Sequence, residues 1–130
     1  MNFKTWLGSL LLSAAALLAL NAQAGDYSLE DFNLNTAEDL LDVCTVKASH
    51  ADHAVATAFC YGFFEGAHHY DDAIENTTAY VDIVCSPDGT TRTEAVAVFV
   101  AYLGANPQYG SEKPVDAAFR ALSSKWPCSK

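Results

Sequence analysis

The chain has 130 residues, 51% of them hydrophobic, and sets seven Lys and Arg against sixteen Asp and Glu for a net charge of −9. That length bounds it to one small domain with a single core. The acidity argues against nucleic acid or an anionic membrane surface as a partner, and leaves a solvated face or a basic protein.

The opening, residues 1–25, combines a positive start at Lys4, an apolar run from Trp6 to Leu20 and a small-x-small site at Ala22-Gln23-Ala24. This is the pattern of a secretory signal peptide, with an apolar run too short for a comfortable membrane span. Cleavage after position 24 leaves 25–130 as the single domain, free of the membrane. It removes Lys4 and no carboxylate, so the net charge moves from −9 to −10. Cys44, Cys60, Cys85 and Cys128 all lie beyond the leader. An even count in a small exported domain reads as a disulfide framework, each bridge contributing about 3 to 4 kcal/mol by loop entropy. No Cys-x-x-Cys occurs, which argues against a zinc knuckle or a thioredoxin-type redox pair. Three pairings are possible, and Cys44 with Cys60 and Cys85 with Cys128 is the preferred one.

In "NTAEDLLDVCTVKAS" the apolar residues Ala37, Leu40, Leu41, Cys44 and Ala48 recur at three and four. Asn35 or Thr36 with Glu38 or Asp39 supplies a capping signature, so the pattern predicts a helix over 36–49. "HADH", His50 to His53, breaks this period. A second one through Val55, Phe59, Gly62, Phe63, Gly66, Tyr70, Ala73 and Ile74 predicts a long helix over 52–75. The stretch "NTTAYVDIVCSPDGTT" reads as a connecting loop with a β-leaning patch at Tyr80 to Val84 and a turn at Pro87 to Gly89. Its sequon at Asn76 is read as coincidence. Thr91 and Glu94 form a capping box for a third helix, striped by Ala95, Val96, Phe99, Val100 and Leu103, with Gly104 and Pro107 signalling its stop. A fourth helix starts at Pro114, carries Val115, Ala118, Phe119 and Leu122 at helical spacing, and stops before Pro127. With no alternating strand long enough for a sheet, the expected fold is all-α: a small four-helix bundle cross-linked by two disulfides.

The stretch "AFCYGFFEGAHHYDDAIE", Ala58 to Glu75, concentrates the polar chemistry. On a helix, Gly62 and Gly66 lie one turn apart and are expected to let another helix approach closely, at about 1 kcal/mol each in propensity. His68 and His69 are adjacent, a poor geometry for two ligands on one metal. Glu65 with His69, and His68 with Asp72, are i, i+4 pairs suited to surface ion pairing. His50 and His53 lack a third ligand by spacing, so no metal and no cofactor is expected. Neither G-x-S-x-G nor H-E-x-x-H occurs, and nothing nominates a nucleophile. The chain therefore reads as a binder rather than an enzyme.

Four segments carry a family likeness: "FNLNTAEDLLDVC", "FCYGFFEGAHHYDDA", "CSPDGTTRTEAVAVFVAYLGANPQ" and "ALSSKWPC". They contain a Thr-Ala-x-x-Leu-Leu opening before a cysteine, C-x-G-[YF]-x-x-G, a Cys-x-Pro-x-Gly turn before a capped helix, and a terminal Pro-Cys. In this order, over residues 32 to 128, they resemble the Rap/Tai family of bacterial type VI secretion immunity proteins. The resemblance implies a disulfide-bonded, all-helical periplasmic protein, often a homodimer, that binds a peptidoglycan-cleaving amidase effector and blocks its active-site cleft. If the cleft is plugged by acidic loops, the candidate contact residues are Asp82 and Asp88 around the turn, with Tyr109 and Glu112 in "NPQYGSEK". Two other classes compete. An acid-stress chaperone would use the histidine and carboxylate face as a pH sensor. An enzyme would use His68 or His69 with Asp71 or Asp72.

Overall fold

The computed structural model describes residues 27–75, 77 and 79–129. The leader at 1–24 and the sequon's Asn76 and Thr78 lie outside these residues. Four α-helices follow in chain order: α1, Ala37–Cys44; α2, His53–Glu75; α3, Arg92–Ala105; and α4, Pro114–Lys125. Single 3-10 turns at Leu29–Asn33 and Pro107–Tyr109 flank them, and among the described residues there is no strand. The bundle is therefore all-α, with disulfides Cys44–Cys60 and Cys85–Cys128.

Local chemistry sets the boundaries. Thr36 caps α1 by accepting from the Asp39 amide, while the Asp39 carboxylate accepts from the Thr36 amide at 3.1 Å. Two further orphan donors at this end, the amides of Ala37 and Glu38, reach the carbonyls of Glu112 and Gly110 at 2.8 and 2.9 Å. The start of α1 is thus docked on the connection between α3 and α4, and its first-turn donors are satisfied across the molecule. Gly110 suits this close approach: a Cβ would sit a tight 3.2 Å from the Pro107 carbonyl, with Glu38 Cβ at 3.7 Å.

At its other end α1 stops at Cys44, five residues short of the expected 49. The hydroxyl of Thr45 donates to the Leu41 carbonyl at 2.8 Å, closing the last turn in place of a continued ladder. Ala48, expected on the apolar stripe, is instead exposed in the following turns, where Val46 plugs the core. The first 3-10 turn was not indicated by period; it is one turn long and capped locally by Ser28 and Asp31.

The core centres on α1 and α3. Leu40 and Phe99 are fully buried, flanked by Val43, Leu103 and Phe64, and α4 offers the small face of Ala117, Ala118 and Ala121. These alanines let α4 lie close against α1 and α3, the helices it packs against. The Cys44–Cys60 bridge, with Cys60 buried, fastens α1 to α2 inside this core. Phe64 and Phe99 meet edge to face at 5.5 Å and join α2 to α3.

One expectation fails. Gly62 and Gly66 face away from the other helices, both exposed, and a Cβ on either would meet nothing within 4 Å. Within the chain they admit no neighbouring helix. They lie instead on an outward face of α2 shared with Val55, Phe59 and Tyr70, which are 62%, 37% and 68% exposed.

Candidate binding surface

Among the described residues the stretch between α2 and α3 is the longest without helix, and three devices hold it. The turn at Pro87 to Thr90 closes with the Thr90 amide on the Pro87 carbonyl at 3.1 Å, and Gly89 takes the left-handed φ of 83° that glycine tolerates. Disulfide Cys85–Cys128 ties the middle of the loop to the chain's tail, reinforced by the Cys85 amide on the Trp126 carbonyl at 2.9 Å. At the near end the Tyr80 hydroxyl donates to Asp71 of α2. That bond, with burial adding to it, pushes the Tyr80 phenol up to about 12.

So anchored, the loop presents Asp82 and Asp88 to solvent, as the acidic-loop reading expects. Beside Asp82 it also exposes Val81 and Ile83, at 77% and 46%. Reading the sequence missed these two as surface residues. Their β-leaning composition was the available signal, but composition alone does not distinguish a packed patch from an exposed one.

The four candidate contact residues are not equivalent. Asp82 lines a cleft between α2 and α4, and its neighbour Ile83 lines a shallower depression with Glu112 and Arg120; Phe119 borders both. Asp82 and Glu112 therefore flank the same ridge on α4, and Asp88 stands at the tip of the turn. Tyr109 is half-buried. Its ring stacks on Tyr102 at 5.9 Å and lies under the Arg120 guanidinium at 4.6 Å. Glu112 takes both arms of that guanidinium, at 2.9 and 3.0 Å. Tyr109 and Glu112 thus brace the connection on which α1 docks, and Arg120, unmarked by any motif, is the residue that joins them.

On α2 the anticipated pairs form. His68 lies 3.3 Å from Asp72, and His69 lies 3.3 Å from Glu65. Arg92, from the first turn of α3, adds a 2.8 Å bond to Glu65 and reaches over the Tyr61 ring. Asp71, a partner in the enzyme reading, is taken by Tyr80. His50 Nδ1 accepts from the Asp52 amide at 3.1 Å, while His53 Nδ1 lies 2.8 Å from the Val46 carbonyl and so carries the proton. These two histidines serve their own turns. Among the described residues no three of His, Cys, Asp and Glu gather as a metal ion would require, and no helix is long and apolar enough to cross a membrane.

The arrangement is a disulfide-braced acidic loop on a rigid helical base. No curated protein and no solved structure matches the chain. The family model of the Rap1a immunity proteins matches residues 36–128, from the α1 cap to the last cysteine, and the chain belongs to that family.

Proposed function

We propose that the protein is a periplasmic immunity protein that binds a type VI secreted peptidoglycan amidase and occludes its active-site cleft with the loop at 79–91. It acts by binding and is not an enzyme. The observation that carries this reading is the family match, which spans every element that holds the loop. The loop's geometry supports it. Exposed Val81 and Ile83 beside Asp82 combine apolar contact with charge, and bracing at both ends lowers the entropy lost on insertion. Export through the leader at 1–24 accounts for two disulfides, which need an oxidising compartment. The acidity steers a basic partner and makes association slow as salt rises.

The protein acts as a homodimer through the outward face of α2. Gly62 and Gly66 reduce helix propensity without serving any contact inside the chain, and Val55 and Tyr70 beside them stay exposed, with Phe59 covered on one side only by Phe32. A second copy of α2 at close approach gives both features a use.

The acid-chaperone alternative is disfavoured by the histidine pairs. His68 and His69 each lie 3.3 Å from a carboxylate of their own helix, so these pairs are engaged within α2 and bridge no element that acid would have to release.

The test is survival. The amidase encoded nearest this gene, or a panel of type VI amidases, is exported to the periplasm with and without this protein. Rescue is expected, with a stable complex on gel filtration. Substituting Val81→Asp with Ile83→Asp is expected to abolish both while leaving the circular dichroism unchanged. Absence of rescue and of complex across the panel would sink the proposal.

A further inference from the structure

The cleft between the C-terminal half of α2, the loop and α4 has a volume of about 450 Å³. Its floor is hydrocarbon and aromatic, made by Phe64 and Ala118 of the core with Phe119, Leu122 and Trp126. Its rim is acidic: Glu65, Asp71, Asp72 and Glu75 follow one side of α2, and Asp82 joins them from the loop. Three of these carboxylates have partners within the chain: Arg92 lies 2.8 Å from Glu65, the Tyr80 hydroxyl donates to Asp71, and His68, which also lines the cleft, lies 3.3 Å from Asp72, so Glu75 and Asp82 are the two that face the cleft with no such partner among the described residues. The imbalance is built into the sequence, which has no lysine or arginine between Lys47 and Arg92.

An acidic rim alone marks only a solvated surface. Here it fronts a cleft of mixed lining with an apolar floor and two aromatic side chains, and the combination sets two requirements at once. A purely apolar occupant leaves Glu75 and Asp82 without a partner, and an anion is repelled by the rim. A cation on an aliphatic stem satisfies both, its charge among carboxylates and its methylenes on the floor, as lysine and arginine stems lie on apolar surfaces elsewhere. Trp126 and Phe119 add the ring faces that attract such a charge.

We propose that this cleft binds an organic cation, an ammonium or guanidinium on an aliphatic stem, with the head group held by Glu75 and Asp82. Two sources supply that chemistry: a free small amine or guanidine, and a basic side chain presented by a partner protein.

Trp126 is the only tryptophan beyond residue 24, so the fluorescence of protein purified from the periplasm reports on this cleft. The titrants are agmatine, N-acetylarginine amide, 1-pentanol and pentanoate. Agmatine is expected to give a saturable change with a dissociation constant of about 1 mM or tighter. Pentanol and pentanoate are expected to bind about ten-fold more weakly or not at all. Glu75→Gln with Asp82→Asn, both exposed, is expected to weaken agmatine about ten-fold. Arg92→Gln removes the resident competitor and is expected to tighten it several-fold, a gain that misfolding cannot produce. Binding of agmatine alone assigns the cleft to a free cation, and binding of both guanidines assigns it to a residue on a partner surface. Equal response to agmatine and pentanol, or indifference to both sets of substitutions, overturns the proposal. No effector is involved, so this result stands apart from the survival assay.

Discussion

Glu94 closes the cap of α3 by accepting from the Thr91 amide and hydroxyl at 2.7 and 2.8 Å. Those bonds, the backbone one first, hold its carboxyl below the ordinary value of 4.5. The folded state therefore gains stability from this group above its unfolded pKa, and the gain is lost as pH falls through the depressed folded value. Thermal unfolding followed from about pH 6 down to pH 3 should show Glu94→Gln losing less stability than the native protein over the acid end. An identical acid slope would show that the cap contributes nothing to the pH dependence. Tyr109 sets a second test at this scale. Its ring lies between Tyr102 and Arg120 and its hydroxyl bonds to that of Tyr102, so Tyr109→Phe should lower the melting temperature only slightly and Tyr109→Ala should lower it by several degrees. Any weakening of effector binding by Tyr109→Ala should then follow from loosening of the connection, and Tyr109→Phe should bind normally.

Among the elements, the two disulfides carry similar loop-entropy value, about 3 kcal/mol for the 16-residue separation and about 4 for the 43-residue one, yet do different work. Cys60 is buried between α1 and α2, whereas Cys85 is exposed in the loop. Replacing Cys85 and Cys128 together by serine should keep the helical spectrum at room temperature and weaken effector binding, because the loop loses its brace. Replacing Cys44 and Cys60 should instead depress the melting temperature with a cavity added to the lost crosslink. A Cys85/Cys128 variant that binds normally would remove the brace from the mechanism. The helices themselves were legible because period and cap agree: Thr91 with Glu94 marks α3, and Pro114 and Pro127 bracket α4. The end of α1 was overread because Ala48 continues the period, while the hydroxyl of Thr45 stops the helix. The cleft was not legible, since Asp72, Asp82 and Trp126 come from separate elements and only the fold brings them together. The exposure of Val81 and Ile83 was equally out of reach, being a property of what fails to cover them.

For the molecule as a whole, the proposed dimer is tested at the outward face of α2. In a monomer, Gly62→Gln and Gly66→Gln should stabilise by up to about 1 kcal/mol each, since nothing lies within 4 Å of the added Cβ atoms and helix propensity rises. In a homodimer through this face the same pair should split the dimer. Sedimentation equilibrium separates the cases: the native protein is expected at twice the chain mass and the double variant at one. A native monomer, or a double variant that remains dimeric, would refute the assignment of this face. The disulfide layout has a further consequence for durability. Residues 44–60 and 85–128 each form a covalent ring, so a single backbone cut inside either ring leaves one connected molecule. Between them, at 61–84, one cut separates the two ringed halves, whereas a cut before Cys44 releases only the N-terminal piece. Most of that span is the protected helix α2, and its end is the exposed stretch with Val81, Asp82 and Ile83. Limited proteolysis on a non-reducing gel should therefore yield two bands from a cut there and one from a cut in either ring. The segment with which the protein is proposed to engage its target thus includes exposed bonds at which a single nick parts the two ringed halves, and an occupied complex should hide them.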